Sequence, residues 1–104
     1  MTTKKLQAFF ESKEFNVYLF EQDNEQCAEL ESWTVGGVDM IISLVPFTKE
    51  NFIEYVNDFD IDEEIELNRQ NEAYRKAFTI SQSVTDFTNY FNELDNIKDE
   101  LEIL

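Results

Sequence analysis

Carboxylates dominate the chemistry available to this chain. It carries 23 Asp and Glu against eight Lys and Arg, and no histidine. Without histidine there is no imidazole base for a Ser-His-Asp triad and no imidazole ligand for a metal. Cys27, the only cysteine, has neither a histidine nor a second thiol as partner. It falls in a predicted strand and reads as a buried structural thiol. Gly36-Gly37 does not lead into the Gly-Lys-Ser/Thr of a phosphate loop. An enzyme built here would have to use carboxylates alone, and no pair stands out as one acid and one base.

The densest cluster runs from Asp58 to Glu66. Asp58, Asp60, Asp62, Glu63, Glu64 and Glu66 supply six carboxylates in nine residues, with Phe59, Ile61 and Ile65 between them as anchors. Alternate acids at 58, 60 and 62 begin like a calcium loop. The pattern then fails, because Glu63 stands where glycine is needed and Arg69 where a bidentate Glu is needed. No metal site or cofactor is therefore expected. Two readings of the cluster remain. It is an acidic helix start, stabilised by the helix dipole. Or it presents charges much as nucleic-acid phosphates do, and a basic groove built for phosphates takes it instead. A second cluster, Glu93, Asp95, Asp99, Glu100 and Glu102, lies off the apolar stripe of the last predicted helix.

The whole-chain charge sharpens this choice. The formal net charge is −15 over 104 residues, and residues 53–104 hold 14 acids and four bases against nine and four before them. Such an excess opposes contact with free nucleic acid or anionic membrane and speeds encounter with basic protein surfaces. A solubility role for the charge is the bland alternative. The N-terminus lacks a signal-peptide core, and the longest apolar run is too short to span a bilayer. A cytoplasmic location is expected.

The elements that must hold these groups follow from patterning. A hydrophobic fraction of 42% and fifteen aromatics allow a real core, so the chain is not of disordered composition. Residues 4–12 read as a short helix or a first strand. Residues 15–21, 27–35 and 38–45 read as strands, with a polar turn over 22–26 and a two-residue hairpin signal at Gly36-Gly37. The third strand shows apolar residues on both faces, which predicts a central or doubly covered strand. Pro46 closes the sheet. Thr48 caps a helix over 48–58, with Phe47 and Phe52 placed as a staple. Asp60 with Glu63 starts a second helix running to 76, whose basic end is Arg75 and Lys76. Ser83 with Asp86 caps a third, over 83–102. Val84, Phe87, Phe91, Leu94, Ile97, Leu101 and Leu104 form its apolar stripe. Strands first and helices second predict an α+β fold in one domain, residues 1–104: an antiparallel sheet of three or more strands followed by about three helices on one face.

The segment from Glu31 to Ile42, followed by Pro46-Phe47-Thr48, Phe59 to Ile65, and Phe78 through Phe87, resembles small acidic proteins of plasmids, phages and integrative elements of Gram-positive bacteria. That group includes anti-CRISPR and anti-restriction inhibitors, several of which occupy the DNA-binding surface of a nuclease. The resemblance covers roughly residues 30–90, brings no catalytic motif and assigns no residue a role. It implies an inhibitor whose partner is a basic surface of a host-defence nuclease, RNA-guided or restriction type. The second function that the sequence allows is a non-enzymatic adaptor of a mobile element, assembling through the stripe of its last helix. Neither reading sets a stoichiometry.

Overall fold

A computed structural model of the chain describes residues 1–35, 38–69 and 80–104. The architecture is α+β: a three-stranded antiparallel sheet in the order β1-β2-β3, with helices before and after it. The elements are α1 (Thr3–Ser12), β1 (Asn16–Gln22), β2 (Glu25–Val35), β3 (Val38–Leu44), α2 (Lys49–Asn57), α3 (Ile61–Arg69) and α4 (Ile80–Glu102). They group into two compact units. One comprises Met1–Trp33 and Asp39–Tyr55, the other Thr34–Val38 and Val56–Leu104.

The first unit is built around Phe10. Residues 4–12, which the sequence leaves open between helix and strand, are helical as part of α1. Thr2 starts the helix, its hydroxyl accepting from the Lys5 backbone N–H at 3.2 Å as an N-cap. Leu6 and Phe10, one turn apart, are the buried face. The helix ends in a Schellman motif. Phe15 N–H bonds back to Phe10 O at 3.1 Å, and Glu14 N–H to Glu11 O at 3.1 Å. The hydrophobic contact that accompanies this motif is the edge-on meeting of the Phe10 and Phe15 rings, 5.6 Å apart. Phe47 and Phe52 close on the same ring at 6.1 and 4.9 Å.

Glu14 occupies the left-handed position of that motif with φ 70°. Glycine would hold this angle without a Cβ clash. Glu14→Gly is expected to stabilise the fold by up to about 1 kcal/mol, read as a higher thermal midpoint. An unchanged or lower midpoint would show that the left-handed turn costs this glutamate nothing.

The β1–β2 hairpin is tighter than the polar stretch 22–26 predicts. Gln22 pairs with Glu25, and only Asp23 and Asn24 turn the chain. Both take positive φ, 52° and 65°, as a type I′ turn requires, and Asp and Asn tolerate it better than other non-glycine residues. Gly36-Gly37, between β2 and β3, lies outside the described residues. β2 is the central strand, and its Cys27, Ala28 and Leu30 are fully buried. Cys27 is thus the buried thiol that its strand position predicts.

β3 corrects the expectation of a central or doubly covered strand, since it lies at the edge of the sheet. Met40, Ile42 and Leu44 are buried, while Ile41 stays 53% exposed between them. The outward row is Asp39, Ile41, Ser43 and Val45, all exposed. Its two β-branched apolar residues mimic a second buried face, because Ile and Val suit a pleated surface whether or not it is covered. After the cis Val45-Pro46 bond, Thr48 caps α2 by accepting from Asn51 N–H at 3.1 Å.

In the second unit α3 packs on α4. The described part of α3 ends at Arg69, so Arg75, Lys76 and the rest of the predicted 60–76 helix lie outside the described residues. α4 corrects the expected Ser83 cap. The backbone is already helical from Ile80, which puts Ser83 inside the helix. A Ser-x-x-Asp spacing occurs within helices as readily as at their starts, because Ser also tolerates a helix interior.

The α4 stripe also departs from prediction at Tyr90, Phe91 and Leu104, while the side chain of Val84 lies outside the described residues. Phe87, Tyr90, Leu94, Ile97 and Leu101 are buried, at alternating steps of three and four. Phe91 is only half-buried and Leu104 is 62% exposed. Tyrosine and phenylalanine at adjacent positions can swap places on a helical stripe with little change in periodicity, and the hydroxyl of Tyr90 made it the less obvious core residue.

Candidate acidic interface

The carboxylates that the sequence singles out sit at and just before the first turns of α3. Asp60 is the N-cap. Its Oδ1 accepts from Glu63 N–H at 3.1 Å and its backbone carbonyl from Glu64 N–H at 3.0 Å. Asp62, Glu63 and Glu64 follow in the first helical turn, where the helix dipole favours negative charge. The helix-start reading of the cluster therefore holds for Asp60 as the cap and for Asp62, Glu63 and Glu64 in the first turn.

Asp58 and Glu66 lie outside that cap and first turn. Asp58, Asp60, Asp62, Glu63 and Glu66 are exposed and Glu64 is half-buried. Among the described residues, no cation pairs with Asp58, Asp62 or Glu63. Elsewhere in the unit a base is held close: Lys98 Nζ lies 3.1 Å from Asp95 and donates to Asn57 Oδ1 at 3.2 Å. That hydrogen bond to Asp95 raises the Lys98 ammonium above its ordinary range, with burial opposing. The second acidic cluster is also on the outside, with Glu93, Asp99, Glu100 and Glu102 exposed and Asp95 half-exposed.

Burial raises the Glu64 carboxyl above the usual range, and the neighbouring Glu63 charge adds to it. A raised carboxyl opposes folding while it is ionised. The penalty is present at neutral pH, shrinks as pH falls through the raised value, and is gone below the ordinary glutamate range, where both states are protonated. Glu64→Gln is accordingly expected to raise the thermal midpoint at pH 7. The gain should vanish below about pH 4. A gain of equal size at both pH values would assign the effect to packing.

Two aromatic residues hold the start of α3 in place. Phe59 meets Tyr90 edge-on at 6.0 Å and stacks with Phe91 at 5.5 Å and 27°. Beside the stack lies an open groove of about 440 Å³ lined by Phe59, Asp60, Ile61, Asp62, Thr88 and Phe91. Sequence reasoning placed Phe59 and Ile61 as anchors but missed Thr88 and Phe91 as surface. The signal for Phe91 was its place one step off the Phe87-Tyr90-Leu94 row.

Among the described residues, no three His, Cys, Asp or Glu side chains are grouped to hold a metal ion. None of the described helices is long and apolar enough to cross a membrane. On the sheet, Glu31 accepts from Asn16 Nδ2 at 3.2 Å and from the Tyr18 hydroxyl at 3.3 Å, and its charge raises the Tyr18 phenol. No model of a known family, no curated protein and no solved structure matches the chain.

Proposed function

We propose that the protein is a non-enzymatic cytoplasmic inhibitor that binds a basic nucleic-acid-binding surface of a host-defence nuclease, of anti-CRISPR or anti-restriction type, with Asp58, Asp60, Asp62, Glu63, Glu64 and Glu66 standing in for phosphates. The observation that carries the reading is the set of exposed carboxylates at the start of α3, with Asp58, Asp62 and Glu63 lacking a cation among the described residues. Charge density supports it. Asp62, Glu63, Glu64 and Glu66 span about 6 Å of helix rise. That is roughly one carboxylate per 1.5–2 Å, close to the one phosphate per about 1.7 Å of axis in duplex DNA. The reading needs no cofactor.

The adaptor reading has less support. It relied on the apolar stripe of α4, whose Phe87, Tyr90, Leu94, Ile97 and Leu101 are buried in the folded chain. Apolar assembly would have to use what remains outside.

The test is competition. A nuclease captured from the native host is titrated with a labelled duplex oligonucleotide, with and without the protein, at low and moderate salt. Displacement that weakens steeply with ionic strength is expected. The protein alone should leave the oligonucleotide unshifted in a gel at physiological salt, because a chain of −15 repels phosphates. Binding to the free oligonucleotide, or competition indifferent to salt, contradicts phosphate mimicry.

A further inference from the structure

We propose that the groove beside the start of α3 seats one arginine side chain of the basic partner, its stem and guanidinium face on the Phe59–Phe91 stack and its fork on Asp62. The inference rests on the inhibitor reading and names the group that the acidic surface recognises. Phosphate mimicry alone needs only exposed charge. This groove adds half-buried aromatic rings immediately beside two exposed carboxylates. Its volume of about 440 Å³ lies within the range of built ligand sites.

Charge complementarity selects the occupant. A carboxylate wall excludes anions and an apolar floor favours a side chain with a hydrocarbon stem. Asp60 Oδ1 is engaged by the Glu63 N–H, while Asp62 has no cation partner among the described residues. Arginine suits both surfaces better than lysine does. Its planar cation stacks on aromatic faces and its parallel donors match a carboxylate, whereas an ammonium is a compact, strongly hydrated point charge. Arginines seated in aromatic pockets are also common hot spots of protein interfaces.

The experiment is an NMR titration of the full isotope-labelled chain at low salt with three pentapeptides. They differ only at the central residue, which is arginine, lysine or citrulline, the neutral isostere of arginine. The expected result is that the arginine peptide shifts the amides of Ile61, Asp62, Thr88 and Phe91 most. It should bind about two- to fivefold tighter than the lysine peptide and more tightly still than the citrulline peptide. Asp62→Asn and Phe91→Leu should each weaken it about two- to fivefold, while Asp99→Asn in the second acidic cluster should not. Equal binding of arginine and citrulline peptides would overturn the proposal. So would shifts spread equally over residues 93–102. If Phe91→Leu proves unfolded, the exposed Asp62→Asn decides alone. Failure here with intact salt-dependent competition removes the arginine seat and leaves the inhibitor reading standing. Arginine binding in the groove with no competition at the nuclease removes that reading instead.

Discussion

Phe87→Ala is expected to destabilise the protein by about 3–5 kcal/mol, the cost of emptying a phenylalanine-sized core site. Phe87 is fully buried on α4. For a chain of this length that loss lowers the thermal midpoint by more than about 10 °C and takes much of a typical domain's stability. Phe91→Ala should cost distinctly less, because Phe91 is half-buried and stacks on Phe59 at the groove. Thermal melts of both variants at one pH check the pair. Equal costs would put Phe91 in the core with Phe87 and remove the exposed aromatic surface from the groove. A melt unchanged by Phe87→Ala would mean that this face of α4 is not core at all.

Replacing Asp60, Asp62, Glu63, Glu64 and Glu66 by their amides should weaken partner binding roughly ten- to a thousandfold. Each exposed charge pair contributes about 0.2–1 kcal/mol, so five together reach a few kcal/mol. The fold should survive. Asn caps a helix about as well as Asp, so Asp60→Asn keeps the α3 start. Glu64→Gln removes a charge that burial already disfavours. Amides keep size and remove charge, so the loss reads electrostatics rather than shape. Circular dichroism checks the helix, and titration of the captured nuclease at two salt concentrations checks binding. Equal affinities and equal salt slopes for wild type and variant would leave these carboxylates as a solvated helix start.

Local signals made much of the fold legible. The strands over 15–21, 27–35 and 38–45 fall within one or two residues of β1, β2 and β3. The Thr48 and Asp60 caps act as predicted, because each has a short side-chain oxygen within reach of an N–H that the first helical turn leaves unsatisfied. The acidic segment was equally plain, since charge density is a property of composition. Residues 4–12 were not decidable, because a Leu-Gln-Ala-Phe-Phe run suits either period until Phe10 has Phe15, Phe47 and Phe52 to pack on.

By itself, the sequence determined the three strands with helices after them, the buried thiol, the α3 cap and an acidity no internal set of eight bases could balance, but not the helix α1 ahead of the sheet. Only the tertiary structure decided that β3 is an edge strand, that Tyr90 rather than Phe91 enters the core, and that Phe59 and Phe91 stack beside Asp62. The physical reason is range. Caps, turns and net charge depend on neighbours within a few residues, whereas burial of one ring over the next depends on a surface that arrives from some thirty residues away in the chain.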